Sequence, residues 1–462
     1  MAPATSRVDR SRLPQPTASR ILAFPAIERS TLADGLGVWT IRYPQVPVVA
    51  LSLLVRSGSA NDPRGQHGLA ALTADMLDEG SGNRSAIEMH EAIGRLGAHL
   101  ETDIGSDALS VGFSVLARFA EPALMLLGDI VARPSLRETD FDRVRTLRLH
   151  RLTQLRDVPT AIADRAFVRS VFGLNHPYGH TPIGDRAAVE ALAAGDVRKF
   201  HAETIVPGAA TLIAVGDCEH ASIRAFAERA FGDWTPASPA ASGEPVVRAE
   251  PLPSPRLYVV PRSGAAQSEL RIGHVSAPRN TPAYHALISA NMVLGGQFTS
   301  RLNLKLREEK GVTYGARTAF DFRRDPGPFV LQVGVQTSAT AESIEDSMRE
   351  IRDVRGPRPV TADELDLATA GLTRGYARNF ETADQIARGL VQLALYDLPD
   401  SYFSEFVPNI ERLTPADVME AFAREVDPAR ASTVIVGDWD RVSGDVERLG
   451  LGDAIILSPD TL

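Results

Sequence analysis

A single cysteine, Cys218, excludes an intramolecular disulfide and any zinc site built on several thiolates. Its surroundings, ATLIAVGDCEH, suit a buried, unreactive thiol rather than a nucleophile. Long apolar runs are missing too. None approaches the roughly 18 residues of a transmembrane helix, so no membrane contact is expected. The chain also lacks a basic excess: a net charge of −9 argues against nucleic-acid binding, which needs a concentrated basic face. The first twenty residues, MAPATSRVDRSRLPQPTASR, carry arginines and prolines but no apolar stretch of the secretory type. Residues 1–24 read as a flexible tail and the location as cytoplasmic. A transit peptide is the disfavoured alternative, because Asp9 and the prolines spoil an amphipathic helix.

What is present is an ordinary globular composition, 44% hydrophobic and 23% charged, whose length alone allows about three domains. An internal repeat decides otherwise. LAAGDVRKFHAETIVPGAATLIAVGD (residues 192–217) lies on LTPADVMEAFAREVDPARASTVIVGD (residues 413–438) at a constant offset, without a gap. Leu192, Asp196, Val197, Ala202 and Pro207 fall on Leu413, Asp417, Val418, Ala423 and Pro428. Each copy predicts an N-capped helix opening at the aspartate, a proline-marked turn and a buried strand ending in Gly-Asp. The chain is therefore a duplication. Residues 25–234 form one half and 257–462 the other, with a proline-rich linker over 235–256.

Strand patterns near residues 37–41, 48–56 and 108–116 alternate with helical ones near 68–78, 86–96, 121–131 and 140–157. The second half repeats the plan, with strands near 256–261, 268–275 and 329–336. Its helices are expected near 282–294, 300–309, 341–354 and 362–378. Hairpin-like pairs among long helices imply an α+β fold: two homologous halves, each a largely antiparallel sheet covered by helices.

Two stretches carry the chemistry. In TSRLNLKLREEKGVTYG, Arg307 and Tyr314 stand seven residues apart across a helix end. The helix is expected to be capped by Thr299 or Ser300 and stopped at Gly311, with Tyr314 on the following strand. The second stretch is GLAALTADMLDEG, Gly68 to Gly80. At these motifs the chain resembles the M16 family of zinc metallopeptidases, the pitrilysin and mitochondrial-processing-peptidase group, in its compact form that works as paired subunits. The resemblance covers residues 25 to 455. It implies a chamber for peptides, closed by homologous α+β halves.

Catalytic members of that family carry His-x-x-Glu-His, since residues i and i+4 share a helix face and can hold Zn²⁺ around a water-activating Glu. Here the matching positions are Ala71, Ala74 and Asp75, which read as a degenerate motif and not as ligands. The family's further Glu ligand would fall near residues 149–152. That stretch is Leu-His-Arg-Leu, with no acidic residue between Asp142 and Asp157. No metal site is expected in this chain, and zinc is expected in a homologous partner. The resemblance assigns Arg307 and Tyr314 to the catalytic role of hydrogen-bonding a substrate carbonyl from the half without zinc.

The expectation is a non-zinc subunit of a heterodimeric metalloendopeptidase, acting on peptides or unfolded polypeptide and inactive by itself. The alternative is a catalytically silent structural or peptide-binding protein. Taken singly, Arg307 would be a surface arginine paired with Glu308, and Tyr314 a half-buried strand aromatic. Gly295 and Gly296 read as a tight turn rather than a phosphate loop. His176 and His180 read as a structural loop, and His67, His90, His99 and His150 as surface or packing histidines. The five arginines from Arg143 to Arg156 read as a solvated helix face, a partner contact being the minority reading.

Overall fold

The computed structural model describes Ser11, residues 22–235 and residues 256–461. The expected tail and linker lie almost wholly outside these. Leu22 and Phe24, at the end of the expected tail, pack against the second half, Phe24 on Phe380 and Phe403.

The strands run β1 (Glu28–Thr31), β2 (Gly37–Arg42), β3 (Val48–Val55), a short hairpin of β4 (Gly80–Ser81) and β5 (Arg84–Ser85), β6 (Glu101–Ile104), β7 (Leu109–Leu116) and β8 (Ala210–Gly216). In the second half follow β9 (Leu257–Pro261), β10 (Gln267–Val275), β11 (Ala316–Phe320), β12 (Pro328–Gln336), β13 (Ser432–Gly437) and β14 (Ala454–Ile456). They form two six-stranded sheets, ordered β1-β2-β8-β3-β7-β6 and β14-β9-β13-β10-β12-β11. Without the edge strands β1 and β14 the two orders are the same. The sheets are largely antiparallel, as expected. The exceptions are β2 with β8, and β9 with both β13 and β14, which are parallel.

The repeat is visible residue by residue. The helices Ala194–Thr204 and Pro415–Glu425 start and end at equivalent positions, as do the turns Pro207–Ala209 and Pro428–Arg430. The aspartates act one turn inside the helix rather than opening it. Asp196 accepts the backbone N–H of Ala193 at 2.8 Å, and Asp417 that of Thr414 at 2.9 Å. This satisfies donors left over at a helix start.

Each sheet is covered on one face by helices of its own half. In the first half Leu53, Val111 and Phe113 meet Leu124, Leu127 and Ile130 of the helix Ala120–Ala132. The other face takes a helix from the opposite half. Ile41, Ala50, Ile213 and Val215 are covered by Ile386, Ala387 and Leu390 of the helix Ala383–Tyr396. In return, Ile162, Ala163, Ala166 and Phe167 of the helix Pro159–Phe172 cover Val260, Val275, Val434 and Val436. Burial on both faces is why β3, VVALSLLV, is almost continuously apolar. Neither exchanged helix was among the expected elements. Both begin just past a region where the helical pattern was already assigned.

Candidate functional site: a clamped Arg/Tyr segment and a rebuilt metal position

The segment around Arg307 departs from ordinary helix geometry. Residues Met292–Gly296 and Asn303–Glu309 are both π-helical, on either side of a short loop. π-Turns are rare and concentrate at functional sites. Gly311 ends the second helix in the left-handed region, φ +65°, as its expected role required. Its N–H donates to the Arg307 carbonyl at 3.1 Å.

The expected cap is replaced by a side-chain clamp. Asn303, buried, donates from Nδ2 to the carbonyls of Gln297 (3.1 Å) and Ala316 (2.9 Å) and to Ser300 Oγ (3.1 Å). Its Oδ1 accepts the N–H of Ala316 at 2.9 Å. The amide thus pairs with Ala316 as a neighbouring strand would, and ties the helix carrying Arg307 to the start of β11. Gly295 lies against the same strand: a Cβ there would stand 2.6 Å from the Thr318 nitrogen. Close approach, rather than a tight turn, is what this glycine supplies. No sequence signal marks Asn303, because the strand it pairs with begins 13 residues away and is met through backbone atoms of Ala316.

Tyr314 is not on a strand. It sits in a bend before β11 and is 93% exposed. Thr313 Oγ1 donates to the Gly334 carbonyl at 2.7 Å, and Gln336 N–H to the Val312 carbonyl at 3.0 Å. The backbone is therefore lashed to β12 while the phenol projects outward. Tyr314 makes no side-chain hydrogen bond among the described residues. Arg307 is partly exposed. Its guanidinium lies 3.8 Å above the ring of Phe298, itself 63% exposed, and 3.6 Å from the Glu308 carboxylate. The expected Glu308 pair exists but is long and solvent-facing, the kind worth little. The Phe298 contact orients the side chain.

The degenerate motif lies on the helix Leu69–Asp75. Its start is held by a buried polar network. Asp62 accepts the N–H groups of Gly68 and Ala70, both at 2.7 Å, and lies 3.1 Å from His180 Nε2. His180 stacks on His67 with centroids 4.2 Å apart, and His67 bonds Asp185 at 2.7 Å. Burial alone would raise the Asp185 pKa, but the His67 hydrogen bond and the charges of His67 and Arg165 hold it below the ordinary carboxylate range. His180 and His67 are thus structural, joined across more than 100 residues. His176 is structural as well, accepting the N–H of Tyr178 at 3.0 Å.

Ala71 and Ala74 are buried and offer no side-chain donor. Asp75 is paired with Arg148, whose guanidinium also donates to the Ala71 carbonyl at 3.1 Å. Arg148 comes from the helix Glu138–Leu155 and is 8% exposed at its side chain. A single carboxylate already bound to a buried guanidinium does not fit a zinc ion, which takes three or four neutral or anionic ligands. Among the described residues, no three His, Cys, Asp or Glu side chains are placed to hold a metal. Beside this pair opens a cleft of about 420 Å³ lined by Asp78, Glu79, Thr102, Leu147 and Arg151 among others.

The helix that carries Arg148 is solvated over most of its basic face, as expected: Arg143, Arg151 and Arg156 are exposed, Arg145 is half-buried, and Arg148 alone of the five is buried. Arg143 pairs with Glu79, Arg145 with Asp142 (3.1 Å), and Arg156 with Asp460 (2.9 Å). Arg151 reaches the neutral Gln154 at 3.4 Å, and these exposed contacts leave the face solvated. Cys218 is partly buried, and burial pushes its thiol up to about 12, which matches an unreactive role.

The family model of the insulinase-type M16 peptidases matches residues 38–176, and that of the M16 inactive domain matches residues 191–372. The chain belongs to peptidase family M16. An "uncharacterized zinc protease" of Mycobacterium tuberculosis is 27% identical over 356 residues, 76% of this chain and 79% of that protein. One from Streptomyces coelicolor is 24% identical, covering 89% of each. The fold is shared with a peptidase M16 inactive domain from Pseudomonas fluorescens (TM-score 0.82, 23% identity, 89% of this chain and 98% of that one). It is shared equally with a protease from Helicobacter pylori (TM-score 0.82, 19% identity, 90% and 100%). No helix among the described residues is long and apolar enough to cross a membrane.

Proposed function

We infer that this chain is the non-zinc subunit of a two-chain M16 peptidase, supplying Arg307 and Tyr314 to the carbonyl of a bound peptide. The observation that carries the reading is the exposure of Tyr314. A phenol 93% in solvent, without an internal hydrogen bond among the described residues, contributes nothing to packing. Yet its backbone is held by Thr313 and, through Ala316, by the buried Asn303. An anchored backbone with an unengaged polar tip is suited to a ligand rather than to the fold.

A homologous partner would hold Zn²⁺, which supplies a polarised water that attacks the peptide carbonyl. The residues of this chain act on the oxygen of that carbonyl. Arg307, always charged and held over Phe298, offers N–H donors, and Tyr314 offers one O–H. As negative charge grows on the oxygen these hydrogen bonds strengthen, and donors so placed are worth about 2.7–4 kcal/mol each. Neither residue abstracts a proton or forms a bond to substrate. The substrates are peptides or unfolded segments.

In the assembled complex, Arg307→Ala should lower kcat by about 10²–10³-fold, and Tyr314→Phe should lower it in the same direction. Assembly, followed by gel filtration, should be unchanged. Unaltered turnover in both variants would overturn the assignment and leave peptide holding without chemistry.

A further inference from the structure

We propose that Arg148 is a built-in replacement for the metal ion, doing with a guanidinium the cross-linking of two helices that zinc does in catalytic members of the family. The argument rests on position, burial and partners. A metal bound by the family motif joins the helix of residues 69–75 to a later helix through ligands on both. Here the later helix, Glu138–Leu155, sends Arg148 back to the same turn. Its Nη2 reaches both the Asp75 carboxylate and the Ala71 carbonyl, and its Nη1 lies 3.5 Å from the Ile183 carbonyl.

The cation therefore meets two of the three motif positions, one through its side chain and one through its backbone. Ala71 and Ala74 make the exchange possible. A guanidinium is far larger than a metal ion, and alanines leave room where imidazole and carboxylate would stand. The motif position that remains acidic, Asp75, is the one that binds the guanidinium. The start of the motif helix is fixed independently of Arg148. Gly68 adopts φ +100° with a Cβ that would stand 3.0 Å from Gly184 Cα, and Asp62 fastens the helix start.

Loss of zinc ligands alone would leave the two helices joined only by apolar packing of Leu69, Leu72 and Met76 with Phe141 and Val144, beside an unpaired carboxylate. This chain instead carries a cation that needs no metal supply and that a chelator cannot remove. The inference does not depend on the role of Arg307 and Tyr314, and fails or stands separately from it.

The test is thermal unfolding and zinc titration of the purified full-length chain and three variants: Arg148→Met, Asp75→Ala and the double substitution. The melting temperature of the wild type should be the same with EDTA and with excess zinc. Each single variant leaves one charge without its partner and should melt a few degrees lower, less for Arg148→Met because the Asp75 carboxylate it strands is 45% exposed. The double variant should lose clearly less than the sum of the two, since neither charge is then stranded. Zinc binding to the wild type at one equivalent, abolished by Asp75→Ala, would overturn the proposal. So would an Arg148→Met chain as stable as the wild type, or additive losses in the double variant. Should Arg148→Met fail to fold, the same comparison is made with Arg148→Lys. Lysine keeps the charge but cannot reach both partners, and should melt below the wild type while remaining indifferent to zinc and EDTA.

Discussion

At the scale of single residues, the molecule separates side chains that hold the fold from side chains that are held by it. Arg307 and Tyr314 are of the second kind; spacing alone does not mark them, and it is the resemblance to the M16 family that pairs them. Phe298 was not legible, because nothing in the sequence says which way a loop aromatic turns. Its place over the Arg307 guanidinium predicts a modest role. Phe298→Ala should lower turnover of the complex a few fold, about 0.5–1 kcal/mol for an exposed cation–π contact, and Phe298→Tyr should restore it. A loss as large as that of Arg307→Ala would mean that Phe298 touches substrate itself.

His285 makes a different residue-scale prediction. Burial first, then the charges of Arg279 and Arg412, hold its pKa down to about 4, while an unfolded histidine titrates near 6.5. Between those values the unfolded chain takes up a proton that the folded chain refuses, so stability present above pH ~6.5 is lost as the pH falls towards ~4. His201 and His274, also held low by burial, act in the same sense. His285→Phe should therefore lose less melting temperature between pH 7 and pH 4.5 than the wild type does. An equal or larger loss would contradict the assignment.

At the scale of elements, the candidate site depends on two π-helical stretches and the amide that closes them. Helix periodicity placed residues 300–309 correctly but could not show the widening. The widening accompanies an Asn303 side chain bonded to backbone groups of β11 and the preceding loop, a tertiary contact. Asn303→Asp keeps the shape but replaces the Nδ2 donor with an acceptor, facing the carbonyls of Gln297 and Ala316. The variant should lose stability by about 1–3 kcal/mol in denaturant titration, the cost of unmade buried hydrogen bonds, and should lower kcat of the complex more than it changes KM. Wild-type stability in this variant would show that the clamp is dispensable.

Gly295→Ala should also destabilise, by roughly 1–3 kcal/mol, because its Cβ would meet the Thr318 backbone nitrogen at 2.6 Å as well as the Thr318 side chain. The metal position shows the same limit of legibility. The missing ligands at residues 71, 74 and 75 were plain from the letters. The contacts of Arg148 with Asp75 and the Ala71 carbonyl were not, since nothing in the letters says which of five arginines on a mostly solvated helix turns inward.

At the scale of the whole molecule, duplication was the most legible feature, because a constant offset over 26 residues appears as identities in the letters. The exchange of helices between the halves was hidden. An amphipathic helix reads the same whichever sheet it covers. Its consequence is that neither half buries both faces of its own sheet. Ile162, Ala163, Ala166 and Phe167 of one half and Ile386, Ala387 and Leu390 of the other each complete the opposite core. A chain cut within residues 236–255 should therefore remain one species in gel filtration, near the intact mass of 49.7 kDa. Either half expressed alone should be insoluble or unfolded. A soluble, folded single half would contradict this reading.

The same scale holds the central claim, that the active site is divided between two chains. The direct measurement is zinc content and peptide hydrolysis of the purified chain, alone and mixed with a zinc-motif M16 homologue from the same organism. The account predicts no zinc and no cleavage by the lone chain, and cleavage in the mixture above that of the homologue alone. Stoichiometric zinc and cleavage by the lone chain would contradict it.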